Sequence, residues 1–250
     1  MFRTEIKDGI LELTMARPPV NAINGHWIEA FSAILDGLAD RREVSVVLIR
    51  SAERVFSAGA DLKLMRECFA SDEGPDRMVE TVRRMQRLYD RIEALPQVTI
   101  AEIGGTAFGG GFELALACDL RIAAETASVG LPEAGLGLLP GAGGTQRLTR
   151  LAGPGIARRL ILTAEVLDGR QAQAFGLVQW IAPAAELGAF ARGIAERIVP
   201  MSPAALAACK HCFSAADAVL HDGMLIELLE THKLLNTADT RKRVAAFLDR

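Results

Sequence analysis

Glu113 and Glu133 are the side chains best placed by their sequence context to do chemistry. Glu113 follows the glycine triplet Gly109-Gly110-Gly111, and Glu133 follows Leu131-Pro132. A third glycine-dense turn spans Gly141 to Gly144, and an earlier one is Gly104-Gly105. Glycine lets a backbone take up φ > 0 or lie close against a ligand. A glycine run that opens a helix leaves the first N–H groups of that helix without intrahelical partners. Free backbone donors beside one carboxylate, with a second carboxylate further on, are a means of stabilising negative charge and moving protons. Two carboxyls facing one pocket have coupled proton affinities, so one can act as acid while the other acts as base. On the residues alone, surface or helix-capping glutamates are the favoured reading.

The two glutamates are 20 residues apart and share no helix face. They meet only if the chain folds back between them, with a strand over Asp119–Ala123 for the return and Leu131-Pro132 as the turn that delivers Glu133. Upstream, residues 2–15 read as a hairpin around Asp8-Gly9. Asn21–Asn24 leads into a helix in which Trp27, Phe31, Ile34, Leu35 and Leu38 recur at helical spacing, through about Arg42. Val46–Ile49 reads as a buried strand. Val55–Asp61 is a second small-residue turn, followed by a short helix from Leu62 to about Phe69. Residues 70–76 read as a polar loop. A helix marked by Met78, Val82, Met85, Leu88, Tyr89 and Ile92 follows, then a strand over Val98–Ile103. Its arginines (Arg77, Arg83, Arg84, Arg87, Arg91) interleave with Glu80, Asp90 and Glu93 and read as a solvated face. Beyond Gly153-Pro154 the chain reads as helix over 155–163, 169–176, 185–198, 202–213, 217–235 and 238–248, with one strand near Val178–Ile181. The pattern is α/β, with strand pairs alternating with helices, a core over residues 1–190 and a helical C-terminal subdomain over 191–250. An apolar stripe there (Met224, Leu225, Leu228, Leu229, Leu235) suits either an intramolecular core or a subunit interface.

Composition narrows the function. Over 250 residues the net charge is −3, half the residues are hydrophobic, and aromatics make up 5%. That argues against a nucleic-acid or anionic-membrane surface and against base-stacking platforms. No apolar run is long enough to span a membrane, and the mixed, charged first residues suit a cytoplasmic protein. Gly141–Gln146 fails the G-x-G-x-x-G pattern, no Walker lysine follows the glycine triplet, and Val55–Gly59 lacks the first glycine of a nucleophile elbow. His26, His211, His221 and His232 fit no metal or triad pattern and read as structural or surface residues. Cys209 and Cys212, with His211 between them, lack the second ligand pair of a zinc site and lie inside an alanine-rich helical run. With Cys68 and Cys118 they read as thiols in or near a core.

Several longer runs carry a resemblance. They are R-P-P-V-N-A-I-N at 17–24, F-S-A-G-A-D-L-K at 56–63, G-G-G-F-E-L-A-L-A-C-D at 109–119, L-P-E-A-G-L-G-L-L-P-G-A-G-G-T-Q-R-L at 131–148, and A-x-x-x-G-L-V at 172–178. Together they cover nearly the whole chain, and the sequence resembles the crotonase (enoyl-CoA hydratase/isomerase) superfamily, most of all the enoyl-CoA hydratases. The resemblance implies a superhelix of ββα units with C-terminal helices that build a trimer, often a dimer of trimers. It implies an acyl-CoA thioester substrate, with coenzyme A as part of that substrate, no further cofactor and no metal. The backbone N–H groups of Ala60 and Gly110 are implied as the oxyanion hole for the thioester carbonyl. The coenzyme A contacts map to Ala22, Ala58, Asp61, Leu62 and Lys63, with Lys63 and Arg66 nearest to hand for a phosphate.

Relatives that carry both glutamates are typically hydratases, which implies reversible syn hydration of a 2-trans-enoyl-CoA by Glu113 and Glu133. Two alternatives stand beside that reading. One is another crotonase reaction, such as Δ3,Δ2-enoyl-CoA isomerisation. The other is an RNA-binding relative, which would need a basic stripe over residues 26–42, where Glu29, Asp36 and Asp40 stand instead. Two departures from the family pattern are expected to matter. Phe112 is bulky for its position and is expected to press on the acyl pocket, and Arg241-Lys242-Arg243 replaces the family's usual Glu-Gly.

Overall fold

The computed structural model describes residues 1–38, 41–217, 228 and 231–249. Two strands open the chain, β1 (Phe2–Lys7) and β2 (Ile10–Met15), paired antiparallel across the Asp8-Gly9 turn. From β2 onward the main sheet is parallel. β3 (Val46–Ser51) pairs with β2, β4 (Val98–Ile103) with β3, β6 (Leu120–Ala124) with β4, and β9 (Trp180–Ala182) with β6. All six residues of β4 are buried, as a strand covered on both faces requires. A second sheet of short strands, β5 (Ala107–Phe108), β7 (Ser128–Gly130) and β8 (Val166–Asp168), lies in the order β5-β7-β8. No helix among the described residues is long and apolar enough to cross a membrane.

Helices cover the sheets and close the ββα repeats. α1 (Gly25–Asp36) buries Trp27, Ile28, Phe31 and Leu35. It stops short of the expected Arg42, because Gly37 closes it with an N–H···O bond to Ala33 (3.2 Å). α2 (Leu62–Phe69) begins on Asp61, whose carboxylate accepts from the Lys63 amide. α3 (Gly74–Glu93) starts inside the stretch expected to be loop, since Pro75 and Asp76 in its first turn favour helix entry. α4 is Gly110–Leu116, and a 3₁₀ turn spans Pro132–Leu136. α5 (Gly144–Leu162) begins earlier than expected and kinks at Gly153 (φ 79°) ahead of Pro154. α6 (Gly169–Ala174), α7 (Leu187–Ile198), α8 (Pro203–Asp217) and α9 (Ala238–Leu248) follow along the chain.

The main apolar core joins the parallel sheet to α1, α3, α4 and α7. A separate, smaller cluster holds Met65, Cys68, Met78, Val79, Leu228, Leu235 and Val244, tying α2 and the start of α3 to the C-terminal segment. Leu228 and Leu235 of the apolar stripe are thus core residues; Met224, Leu225, Leu229 and His221 lie outside the described residues.

Two expectations are corrected. Cys68 and Cys118 are buried, but Cys209 and Cys212 are exposed on α8, because buried Lys210 on the same helix faces the core instead. Phe112 is packed in the main core and does not line the cavity that Glu113 faces, because α4 turns it away from Glu113's side. The α3 arginines do form a solvated, ion-paired face. Arg83 and Arg87 bind Glu80, Arg84 binds Glu29, and Arg91 binds Asp36. α1 therefore presents the acidic partners Glu29 and Asp36 rather than a basic stripe, and Asp40 lies outside the described residues.

Candidate active site

Four backbone segments converge on one cavity of about 490 Å³: the 58–60 turn, the start of α4, the 3₁₀ turn and the 139–142 stretch. Glu113 and Glu133 both line it, so the chain does fold back between them. The means is the small second sheet. Phe108 pairs with Gly130, and the Gly109 amide donates to the Gly130 carbonyl (3.1 Å). The 3₁₀ turn that follows β7 then lays Glu133 against the glycine triplet. Its Oε1 lies 2.8 Å from where a Cβ on Gly109 would stand. At φ +50° and with that neighbour, position 109 tolerates only glycine.

Glu113 is 2% exposed and sits in the first turn of α4. Its Oε1 accepts from the Gly144 amide at 2.8 Å, the first residue of α5. A Cβ on Gly144 would also stand 2.8 Å from that oxygen, so glycine there admits the carboxylate. The third glycine-rich turn therefore holds the first glutamate.

Ala60 and Gly110 line the same cavity. Around Ala60, the Ile23 amide donates to the Gly59 carbonyl (2.8 Å) and the Asp61 amide to the Ile23 carbonyl (2.9 Å). In extended backbone successive N–H groups alternate sides, so the Ala60 amide points away from Ile23. Gly110 is the first residue of α4, and its N–H has no intrahelical acceptor. Neither amide has a protein acceptor among the described residues. The two loops are in contact: a Cβ on Gly59 (φ +86°) would fall 3.2 Å from the Gly110 nitrogen and 2.8 Å from the Phe108 oxygen.

Of the five residues expected at coenzyme A, Ala58 and Leu62 line the cavity, while Ala22 lies on the adjoining loop, Asp61 at the cap of α2 and Lys63 in its first turn. The Asp61 carboxylate is occupied by Arg17 (2.6 Å) and Asn24 (3.1 Å) and caps α2 through the Lys63 amide (2.9 Å). Burial raises its pKa, but the hydrogen bonds from Arg17 and the Lys63 amide and the Arg17 charge together hold it below the usual aspartate value. Arg17 also donates to the Ala22 carbonyl (2.5 Å). Arg66 donates to the Leu248 carbonyl (2.6 Å), and Lys63 is exposed.

Other residues, not singled out from sequence, hold the site in place. Fully buried Asn21, at φ +48°, donates to the Phe56 carbonyl (3.0 Å) and Ser51 Oγ (2.7 Å), and its own carbonyl accepts from Ser57 Oγ (2.9 Å). It thereby welds the Ala22 loop to the Ala58–Ala60 turn. Asparagine tolerates the left-handed region better than most non-glycine residues. On α3, Tyr89 donates to the Gly110 carbonyl (2.7 Å) and Gln86 to the Gly141 carbonyl (2.8 Å). Arg147, 2% exposed at its side chain, donates to the Ala142 carbonyl (2.8 Å) and bridges Asp90 (2.8 Å) and Glu93 (2.7 Å). Burial and then the nearby Glu113 charge push the Tyr89 phenol well above its ordinary pKa, so it stays a neutral donor. The signal in the sequence was slight: an asparagine after two prolines, and an arginine closing a glycine-rich run.

The site's chemistry is thus a pair of carboxylates and a pair of unclaimed amides on one apolar cavity. Among the described residues no cluster of three or more His, Cys, Asp or Glu is placed to hold a metal ion.

A family model described as enoyl-CoA hydratase/isomerase matches residues 5–250. The chain is 42% identical over 251 aligned residues to enoyl-CoA hydratase domain-containing protein 2, mitochondrial, of Mus musculus, across 97% of this chain and 82% of that protein. Among solved structures, an enoyl-CoA hydratase from Bacillus anthracis matches with TM-score 0.82 at 34% identity, covering 99% of this chain and 96% of that one. An enoyl-CoA hydratase from Bacillus halodurans matches with TM-score 0.91 at 25% identity, covering 98% and 99%.

Proposed function

This chain belongs to the enoyl-CoA hydratase/isomerase family, with the crotonase fold, and from that premise we propose that it reversibly hydrates a 2-trans-enoyl-CoA to the 3-hydroxyacyl-CoA. One observation carries the reading: both Glu113 and Glu133 reach the cavity that Ala60 and Gly110 also line. A Δ3,Δ2-isomerisation moves a proton between two carbons and needs one such acid–base group. Adding water needs a base for the water and an acid for carbon.

In the proposed reaction the thioester oxygen accepts from the Ala60 and Gly110 amides. Glu113, held by the Gly144 amide, removes a proton from water as its oxygen bonds to C3. The C2=C3 electron pair shifts toward the thioester, and the enolate charge collects on the oxygen between the two amides. Each such preorganised donor is worth about 3–4 kcal/mol of barrier. Glu133, protonated, delivers its proton to C2 from the same face. The water is thus divided between C3 and the carboxyl pair, and no electron leaves the substrate. The coenzyme A moiety is proposed to run along Ala22, Ala58, Asp61, Leu62 and Lys63, which occupy the loops beside the oxyanion amides. A homotrimer, alone or as a dimer of trimers, is the proposed assembly.

Loss of the conjugated enoyl-thioester absorbance measures the reaction directly. Glu113→Gln and Glu133→Gln should each lower kcat by about 10²–10⁴-fold. Near-wild-type hydration by Glu133→Gln, or conversion of 3-enoyl-CoA without any hydration, removes the assignment.

A further inference from the structure

The cavity extends well past the carboxylates, and its outer wall is built differently from its reacting end. Glu113 and Gly110 belong to α4, which packs in the main core, while Ala60 already lies against the smaller cluster. The wall beyond them comes from Met65 and Phe69 of α2, Met78 and Val82 of α3, and Leu235 and Phe247 of the C-terminal segment. Met65, Met78 and Leu235 belong to the separate small cluster that joins these three segments. Apart from Glu113 and Glu133, Thr231 is the one polar side chain among the described lining residues, and no cationic side chain is among them.

These features limit the acyl group. An acid-terminated chain would bring a carboxylate against described wall residues that offer it no cation, leaving its charge unpaired. Methionine at two wall positions suits a flexible, unbranched chain, because its thioether adapts to irregular apolar shapes. Size sets the length. An apolar cavity of about 150 Å³ takes benzene, six carbons, so 490 Å³ is space for roughly twenty carbon-sized groups, part of it filled by the thioester and the neck of the pantetheine arm. A four-carbon acyl group would leave most of the wall unburied.

We infer that the preferred substrate carries an unbranched, uncharged aliphatic chain of roughly eight to twelve carbons, with Met78 setting the length limit. The inference rests on the hydratase reading for its chemistry but not for its test. Saturated acyl-CoA thioesters from four to sixteen carbons cannot be hydrated, and their dissociation constants can be measured by calorimetry on the full chain. Affinity should rise with chain length, by up to about fourfold for each fully buried methylene, and level off between eight and twelve carbons. An affinity that peaks at four carbons, or a glutaryl thioester that binds more tightly than octanoyl, overturns the inference. In parallel, kcat/KM for hydration is measured on the matching 2-enoyl thioesters. Tight binding at eight to twelve carbons without hydration of any of them would leave the chain-length inference standing and remove the hydratase reading. Hydration with equal kcat/KM at every length would do the reverse. Met78→Trp should lower the ratio of ten-carbon to four-carbon kcat/KM at least tenfold. Met78→Ala, which cannot overpack the wall, should move the optimum to longer chains. If both variants keep the wild-type ratio, Met78 does not set the limit and the inference fails.

Discussion

Asp61 shows how a single residue serves the site without touching the chemistry. Its carboxylate caps α2, receives Arg17 and Asn24, and so fixes the turn that carries Ala60 relative to the Ala22 loop. Because the folded state holds this carboxyl below its unfolded value, the ionised form is favoured by folding. The stabilisation is complete above the unfolded value near pH 4 and is lost as pH falls through the lower folded value. Asp61→Asn keeps a side-chain oxygen for the cap but removes the charge. The variant should be less stable than the parent at pH 7, and the gap in Tm between the two should narrow steadily below about pH 4. A gap that stays constant from pH 7 to pH 3 would show that the Arg17 pairing adds nothing to folding. Cys118 illustrates the opposite case: burial pushes its thiol up to about 12, and it serves as a packed side chain with no thiolate at neutral pH.

At the level of elements, α3 is the spine of the active site. Its inner face reaches the Gly110 carbonyl through Tyr89 and the Gly141 carbonyl through Gln86, and it holds Arg147 between Asp90 and Glu93. Arg147 in turn holds the Ala142 carbonyl, two residues before the Gly144 amide that binds Glu113. Replacing Arg147 with Met leaves the partly exposed Asp90 and Glu93 without their partner and the Ala142 carbonyl without its donor, which should cost about 1–3 kcal/mol, read as a lower urea midpoint at unchanged m. The same change should lower kcat about tenfold or more while leaving KM close to the parent, because the Glu113 anchor loosens and the coenzyme A loops do not. An Arg147→Met enzyme with parental kcat would show that the turn holds itself. None of this is visible in local sequence. The glycine runs and the two glutamates stand out because each is abnormal over a few residues, and α2 could be bounded from its own pattern. Tyr89 and Gln86, by contrast, look like one more turn of an amphipathic helix, since their partners lie 21 and 55 residues away. The strands β5, β7 and β8 are two or three residues long, too short to show a period, yet they are what brings Glu133 to Gly109.

For the molecule as a whole, the family resemblance implied a superhelix of ββα units, while the parallel register of the main sheet and the cavity between the core and the C-terminal segment came only from the structure. The face that α8 turns outward bears on the proposed trimer. Lys210 pins the helix to the core through Asp119 (2.6 Å) and the Gln97 carbonyl (2.9 Å). Cys209, Cys212 and Phe213, spaced i, i+3 and i+4, share an exposed face beside Lys210, where Phe213 is 69% exposed. An exposed phenylalanine beside two thiols is an apolar patch that a soluble chain tends to cover with another copy of itself. A closed trimer of 26.8 kDa chains should therefore be the species seen by light scattering, or twice that for a dimer of trimers. Phe213→Asp places a charge in any contact made there and should shift the mass toward the single chain, with the circular dichroism of the fold retained because the side chain touches no core. Apolar exposure that drives assembly also makes it tolerant of salt, so raising ionic strength should leave the parental mass unchanged. A parental protein that scatters as a single chain at micromolar concentration would mean that this face of α8 is covered by something other than its own kind, or by nothing.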